Sequence, residues 1–362
     1  MRIRALALAA VVAALAAAVP GCASLSYYSQ AIGGHLDVLR RAEPVDEALA
    51  KDATPEATRA RLARAVAIRD FASGELGLPD NASYRRYADL GRPYVVWNVF
   101  AAPEFAVRAE ESCFPVAGCV AYRGYYSRED AERAAAALRA QGRDVFVGGV
   151  PAYSTLGWFA DPLLSTFIHY PDPELARLIF HELAHQVVYV KDDTMFNESF
   201  AVSVEEEGVA RWLAAHGTAA DAERHARARA MRAAFLDLVA TYRARLAALY
   251  AEPLPDAEKR AAKAAAFAAM RADYEALKRE WGGFAGYDRY MADANNAFLA
   301  SVATYNEYVP AFRALLAAEG GDLPRFYAAA RALAALPARE RKEALTALAG
   351  QAGAPRAQAV SR

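Results

Sequence analysis

The stretch Asp172-Pro173-Glu174-Leu175-Ala176-Arg177-Leu178-Ile179-Phe180-His181-Glu182-Leu183-Ala184-His185 decides how the rest of the chain is read. Aspartate followed by proline starts a helix well, with the carboxylate as cap and the proline in the first turn. Leu175, Leu178 and Ile179 then fall at helical spacing. On such a helix His181 and His185 stand one turn apart on one side, so both imidazoles can reach a single ion. Neutral imidazole is a good zinc ligand, and two from one rigid turn need little ordering on binding. Glu182 projects beside them, where it can take a proton from a water that the ion activates.

Zinc that catalyses needs a third protein ligand and an open position. Phe196-Asn197-Glu198-Ser199-Phe200-Ala201 lies nearby, with twelve residues between His185 and Glu198. A turn through Lys191, Asp192 and Asp193 is long enough to reverse the chain and start a second helix, from which Glu198 would face the histidines. One Zn²⁺ ion on His181, His185 and Glu198 is the expected cofactor, with Glu182 as general base.

Outward from this pair, nearly everything from Pro173 to about Leu348 reads as helix, broken at Gly282-Gly283, Gly320-Gly321, Pro253, Pro255, Pro324 and Pro337. Leu25 to about Leu76 is helical too: Tyr28, Ala31, Ile32, His35 and Leu36 share a face, and a second run follows Thr54 and Pro55. Between Tyr94 and Trp158 the texture changes. Val95 to Phe100, Val120 to Tyr126 and Val145 to Val147 read as strands, and Glu129 to Gln141 as a helix started by Ser127 with Asp130. No other sheet is expected. The fold class is therefore α+β, mainly helical, with a small mixed sheet and an all-helical C-terminal half. The expected layout is a leader (1–21), an N-terminal helical segment (22–90), a sheet-containing region (91–170), the helical metal-site region (171–349) and a disordered tail (350–362). No repeat or long linker stands out.

The chain has 362 residues, with 42 basic against 43 acidic side chains, so no cationic excess is available for nucleic acid. Arg2 and Arg4 precede fifteen uncharged residues, Ala5 to Val19, which is short for a membrane span and built like a secretory leader. Val19-Pro20-Gly21-Cys22 resembles a lipoprotein box, in which Cys22 is acylated and becomes the new N-terminus. Removal of the leader takes away two arginines and leaves 40 basic residues against 43 acidic. The mature chain is expected on a lipid membrane through Cys22. Ala23 is not the aspartate that resembles an inner-membrane retention signal, so the outer membrane, facing the periplasm, is the expected site. In such a compartment Cys113 and Cys119 are expected to pair. His35 reads as a packed residue, His169, His216 and His225 have no ligand spacing, and Arg224 to Arg232 reads as an exposed helix face.

The segment around Glu198 resembles the Asn-Glu-Gly-Phe-Ala element that supplies the glutamate ligand in gluzincin metallopeptidases, with Ser199 where glycine is usual. Several stretches together resemble the bacterial predicted aminopeptidase lipoprotein family. They are Tyr27 to Ala31, Val96 to Val99, Tyr122 to Tyr125, Ala152 to Phe159, the histidine motif and Asn295-Asn296-Ala297. The likeness covers most of the mature chain and implies a gluzincin-like core, zinc hydrolase chemistry and a peptide substrate. Two departures matter. The spacer before Glu198 is shorter than in the better-known gluzincins, and Val202 stands where many of them place an Asp or Thr supporting a zinc histidine. Glu205, two turns beyond Glu198, is a candidate for that support, or else one of three solvated acids in Glu205-Glu206-Glu207. Gluzincins commonly stabilise the oxyanion with a tyrosine or histidine; Tyr305 and Tyr153 are the candidates among 19 tyrosines. Ala152 to Phe159 stands where gluzincins often carry a substrate-pairing edge strand.

An aminopeptidase also needs a carboxylate for the substrate ammonium, and Glu205, Asp161 and Asp193 are open choices. Two other readings remain: an endopeptidase of the cell envelope with the same metal site, and a non-catalytic envelope lipoprotein holding structural zinc.

Overall fold

The computed structural model describes residues 27–114 and 118–352. Cys22, the leader and residues beyond 352 lie outside the described part. Helix α1 covers residues 27–41, followed by β1 (Glu43–Pro44), α2 (Val45–Ala50), α3 (Glu56–Gly74), β2 (Arg86–Ala88), β3 (Val96–Ala102), β4 (Ser112–Phe114), β5 (Gly118–Val120), β6 (Arg123–Tyr125), α4 (Arg128–Ala140), β7 (Asp144–Val150) and β8 (Leu163–Leu164). The rest is helical: α5 (Asp172–Ala184), α6 (Thr194–His216), α7 (Ala219–Ala251), α8 (Asp256–Glu280), α9 (Asp288–Ala292), α10 (Asn296–Asn306), α11 (Val309–Ala318), α12 (Leu323–Ala334) and α13 (Ala338–Ala352). The chain is α+β and mainly helical, and no described helix is long and apolar enough to cross a membrane.

Strand β3 explains the uninterrupted apolar run in its sequence, because every residue from Val96 to Ala102 is buried. It is the centre of an antiparallel sheet, order β6-β3-β7, with Val99 opposite both Arg123 and Val147. Side chains alternate between faces. Trp97 and Val99 pack with Ala131 and Ala135 of α4, whereas Phe100 and Ala102 meet Ala297 of α10. Ser127 caps α4 through Asp130 N. The expected strand Val120 to Tyr126 is instead two strands in different sheets: β5 pairs with β4, β6 with β3, and the chain bends at 121–122 between them. A second three-stranded sheet, β1-β2-β8, also escapes the sequence reading. Its strands have two or three residues each, too few for a period-2 pattern to register.

Two cores hold the helices. The larger joins α3, α5, α6, α11 and α12, with Phe180, Phe196, Phe200, Phe312 and Phe326 at its centre. The smaller lies between the long helices α7 and α8, where Phe235, Tyr242 and Leu246 meet Met270 and Tyr274, and α10 adds Phe298 and Leu299. Helix α13 extends to Ala352, so the expected tail from Gly350 is helical at its start.

Helix α5 is anchored at its first residue. Asp172 does not cap it: Pro171 occupies that position, without a side-chain bond. The Asp172 carboxylate instead binds Arg61 and Arg64 of α3, with Arg61 Nη1 at 2.6 Å. The helix begins one residue earlier than expected, which puts Asp172 inside its first turn with its carboxylate directed to a neighbouring helix. Helix α6 then crosses α5 closely at Gly208, where an added Cβ would sit 2.6 Å from Phe180 Cδ2 and 2.8 Å from Leu76 Cδ1.

That approach makes Gly208→Ala a test of the crossing. Alanine gains about 1 kcal/mol of helix propensity, but overpacking of a filled site costs about 2 kcal/mol, for a net loss of about 1 kcal/mol in urea unfolding. A variant as stable as the parent or more so would mean that the two helices have slack.

Candidate metal and catalytic site

His181 and His185, both buried, leave the C-terminal turn of α5 with their rings perpendicular and centroids 4.8 Å apart. Their Nε2 atoms are 3.2 Å apart. Glu198 Oε2 lies 3.3 Å from His181 Nε2 and 3.8 Å from His185 Nε2. Donors about 2.0–2.1 Å from one tetrahedral ion are separated by roughly 3.3 Å, so the three side chains are arranged as one small divalent ion requires. They are also the one group of three or more His, Cys, Asp or Glu among the described residues whose donor atoms could share an ion, all within 4.8 Å of one another.

The chain reversal that brings Glu198 here is held by its neighbour. Asn197 accepts from Val190 N and donates to Val190 O, both at 2.7 Å, which closes the loop between α5 and α6. Asp193 caps α6 by accepting from Phe196 N and takes a second bond, 2.9 Å, from Arg341 Nε of α13. Ser199 accepts from Tyr308 N at 3.1 Å, a tie to α11 that glycine could not make. The Cys113–Cys119 disulfide is formed, and Cys119 N donates to Asp192 Oδ1 in the same loop.

Glu205 is fully buried rather than solvated, and its Oε2 lies 2.9 Å from His181 Nδ1. Arg177 Nη1 donates to that oxygen at 3.3 Å, and Arg232 Nη1 is 3.7 Å from the other. The arrangement fixes His181 with Nδ1–H toward Glu205 and Nε2 toward the cluster. Val202 offers no such support; the acid one turn further along α6 supplies it. Arg232 thus leaves the exposed face expected for its segment. Arg177 and Arg232 were missed in the sequence, although Arg177 stands at helical spacing before His181 and His185.

Charge in the cluster is tightly shared. Burial opposes protonation of His181, but hydrogen bonds to Glu198 and Glu205 outweigh it and hold its pKa up at about 10. Burial, with the neighbouring charge of His181, pushes His185 down to about 4 against the pull of Glu198. Two imidazoles so close cannot both be cationic. Burial would raise Glu205, yet Arg177 and His181 bring it to about 2. Glu182 is raised to about 8 by burial, only partly countered by His181.

These groups line a cavity of about 1840 Å³, bounded by α1, β3, β6, β7, α5, α6, α7 and α10. Tyr305 is on its wall with Glu182 and Glu198, as is Tyr122, which no spacing in the sequence marked. Burial, then the charge of Glu198, raises the pKa of both phenols, so both are neutral donors. Tyr153 also faces the cavity, but its hydroxyl lies 2.6 Å from His35 Nδ1. The stretch Ala152 to Phe159 is a turn and not a strand. The three acids considered for a substrate ammonium are all otherwise engaged or remote. Glu205 is pinned by Arg177, Asp193 caps a helix, and Asp161 is buried outside the cavity lining, accepting from Thr155 N.

A family model described as "Putative aminopeptidase" matches residues 26–345, and the chain belongs to that family. No curated protein and no solved structure matches.

Because His181 holds a proton at neutral pH, a divalent ion must displace it to bind. Affinity is lost as pH falls below about 10. Calorimetry in buffers of different ionisation enthalpy should therefore report release of at least one proton per ion. Affinity should climb by roughly tenfold per pH unit between pH 6 and 9. A flat profile would contradict this charge assignment.

Proposed function

We propose that the chain, as a member of that family, is a zinc-dependent peptide hydrolase and acts as an aminopeptidase. The observation that carries the reading is the meeting of His181, His185 and Glu198 beside a separate buried carboxylate, Glu182, on the wall of a large cavity. Two nitrogens and one oxygen form a donor set better suited to zinc than to magnesium or calcium. Bound there, zinc would supply a Lewis acid that lets water lose a proton near neutral pH and that polarises the scissile carbonyl.

The protein's own groups account for the remaining steps. Glu182 takes the proton from the attacking water and passes it to the leaving amine. Its burial makes it a stronger base than a solvated carboxylate. Glu205, steadied by Arg177, keeps His181 in one tautomer. Tyr305 and Tyr122 offer neutral hydroxyls toward the oxyanion that forms as water adds. A purely structural site would have no use for Glu182 beside the ligands, which weighs against a non-catalytic role.

Cleavage within a longer peptide is the second reading, favoured by one observation. The cavity of about 1840 Å³ exceeds the usual 300–1,000 Å³ of a small-ligand site; of the three expected ammonium-binding acids, Asp161 and Asp193 lie outside its lining, and Glu205, which lines it, is already held by Arg177 and His181. Acylated Cys22 would hold either enzyme on the membrane, facing the periplasm from the outer membrane.

Glu182→Gln should retain its metal and lose turnover by about 10²–10⁴-fold, the range for a general base; normal turnover would remove the proposed base. Peptides with free and acetylated N-termini separate the two peptidase readings. An aminopeptidase cleaves only the free form, whereas equal cleavage of both establishes internal cutting. Cys22→Ala should shift the protein out of the membrane fraction, and its continued recovery with lipid would exclude the anchor.

A further inference from the structure

Among the large apolar side chains left exposed in the described residues, four gather in one place. Ile32 and Leu36 are exposed on α1, and Trp158 and Phe159 are exposed on the turn after β7, with Trp158 79% exposed. The two sets adjoin, since the His35 ring meets the Phe159 ring at 4.8 Å between centroids. Around the α1 axis, Ile32 lies about 60° and Leu36 about 100° from His35, so both continue the surface that Phe159 begins.

The turn is built to keep the tryptophan outside. Leu156 has φ +57 and Gly157 φ +82, and a leucine rarely adopts the first of these. Thr155 Oγ1 accepts from Phe159 N at 3.1 Å, Trp158 N donates to Thr155 O at 3.1 Å, and Thr155 N donates to the buried Asp161 at 2.9 Å. Leu156 N is bonded to Ser154 Oγ at 3.0 Å. Trp158 is thus held in water by a turn with several internal hydrogen bonds.

We infer that this face docks on a lipid surface, with Trp158 and Phe159 in the interfacial layer and Ile32 and Leu36 beside them. The inference rests on acylation of Cys22. Five residues lead from Cys22 to Tyr27, and even fully extended they reach no more than about 18 Å. At about 1.5 Å per residue along α1, Ile32 then lies within roughly 25 Å of the anchor, whatever path the linker takes. Tryptophan favours the membrane–water boundary, and apolar helix faces bury shallowly in it. Arg40, exposed one turn beyond Leu36, can meet lipid phosphates at the rim. Ala31 and Leu156 line the cavity, so docking holds the proposed peptidase site beside the bilayer.

Intrinsic fluorescence tests this directly, because Trp97, Trp212 and Trp281 are buried. The processed full chain is extracted and reconstituted in vesicles of phosphatidylethanolamine and phosphatidylglycerol, with or without brominated acyl chains. Trp158 emission should shift to the blue and be largely lost with brominated lipid, and Trp158→Phe should abolish both effects. Protein that floats with the vesicles while Trp158 stays unquenched and open to aqueous acrylamide would overturn the docking face and leave the anchor standing. A blue shift without bromine quenching would mean that a protein surface, such as a second copy, covers the patch, and would overturn the lipid assignment. Protein that fails to float at all would end both the anchor and the docking that depends on it.

Discussion

Everything at the centre of the molecule depends on burying one negative charge. Glu205 has no solvent exposure, and its carboxylate is shared between His181 and Arg177, with Arg232 close by. Removing one partner from such a buried pair costs about 3–5 kcal/mol, so the acid, the imidazole and the guanidinium are retained or lost together. With Arg232 the group spans three helices, α5, α6 and α7. The charge therefore sets the rotation of α5 and α6 about their own axes, and α7 is drawn against both by the same carboxylate. Gly208 permits the close approach that this requires, one turn past Glu205.

The group of His181, His185 and Glu198 was legible because a helix repeats every 3.6 residues. His181, His185, Glu198 and Glu205 all stand at spacings that helical geometry converts into shared faces. The same regularity made the large helices and the buried strand β3 readable. What was not legible depends on long-range packing. Tyr122 reaches the cavity because the chain bends at 121–122 and changes sheets, and no local pattern encodes a change of partner. The short sheet β1-β2-β8 is likewise made by contacts between residues far apart in sequence. Asp172 shows the same limit from the other side. Its sequence context fits a helix cap, but two arginines from α3 compete for its carboxylate and win.

Several polar side chains, some of them in the stretches that carry the family resemblance, serve as joints. Gln30 donates to Gly124 O and accepts from Tyr126 N, fastening α1 to the edge of β6. Asn295 caps α10 and also reaches Val145 O, while Asn296 binds Glu104 O and accepts from Tyr250. Arg69, fully buried, gathers the carbonyls of Pro79, Asn81 and Ser83 into a loop whose Asn81 and Ser83 hold Gln186 beside His185. These polar side chains tie together segments that lie far apart in sequence. Amides and guanidinium groups suit that work because they satisfy several backbone groups at once.

The bond between Asp193 and Arg341 joins residues 148 apart in sequence. One belongs to the cap of the helix that carries Glu198, the other to α13, the last helix among the described residues. A ribosome delivers residue 193 well before residue 341, so the helix that carries Glu198 receives this bond only after α13 has been made. A chain cut short before α13 would lack that clamp. The architecture thereby makes the helix that carries Glu198 depend on a segment synthesised well after it.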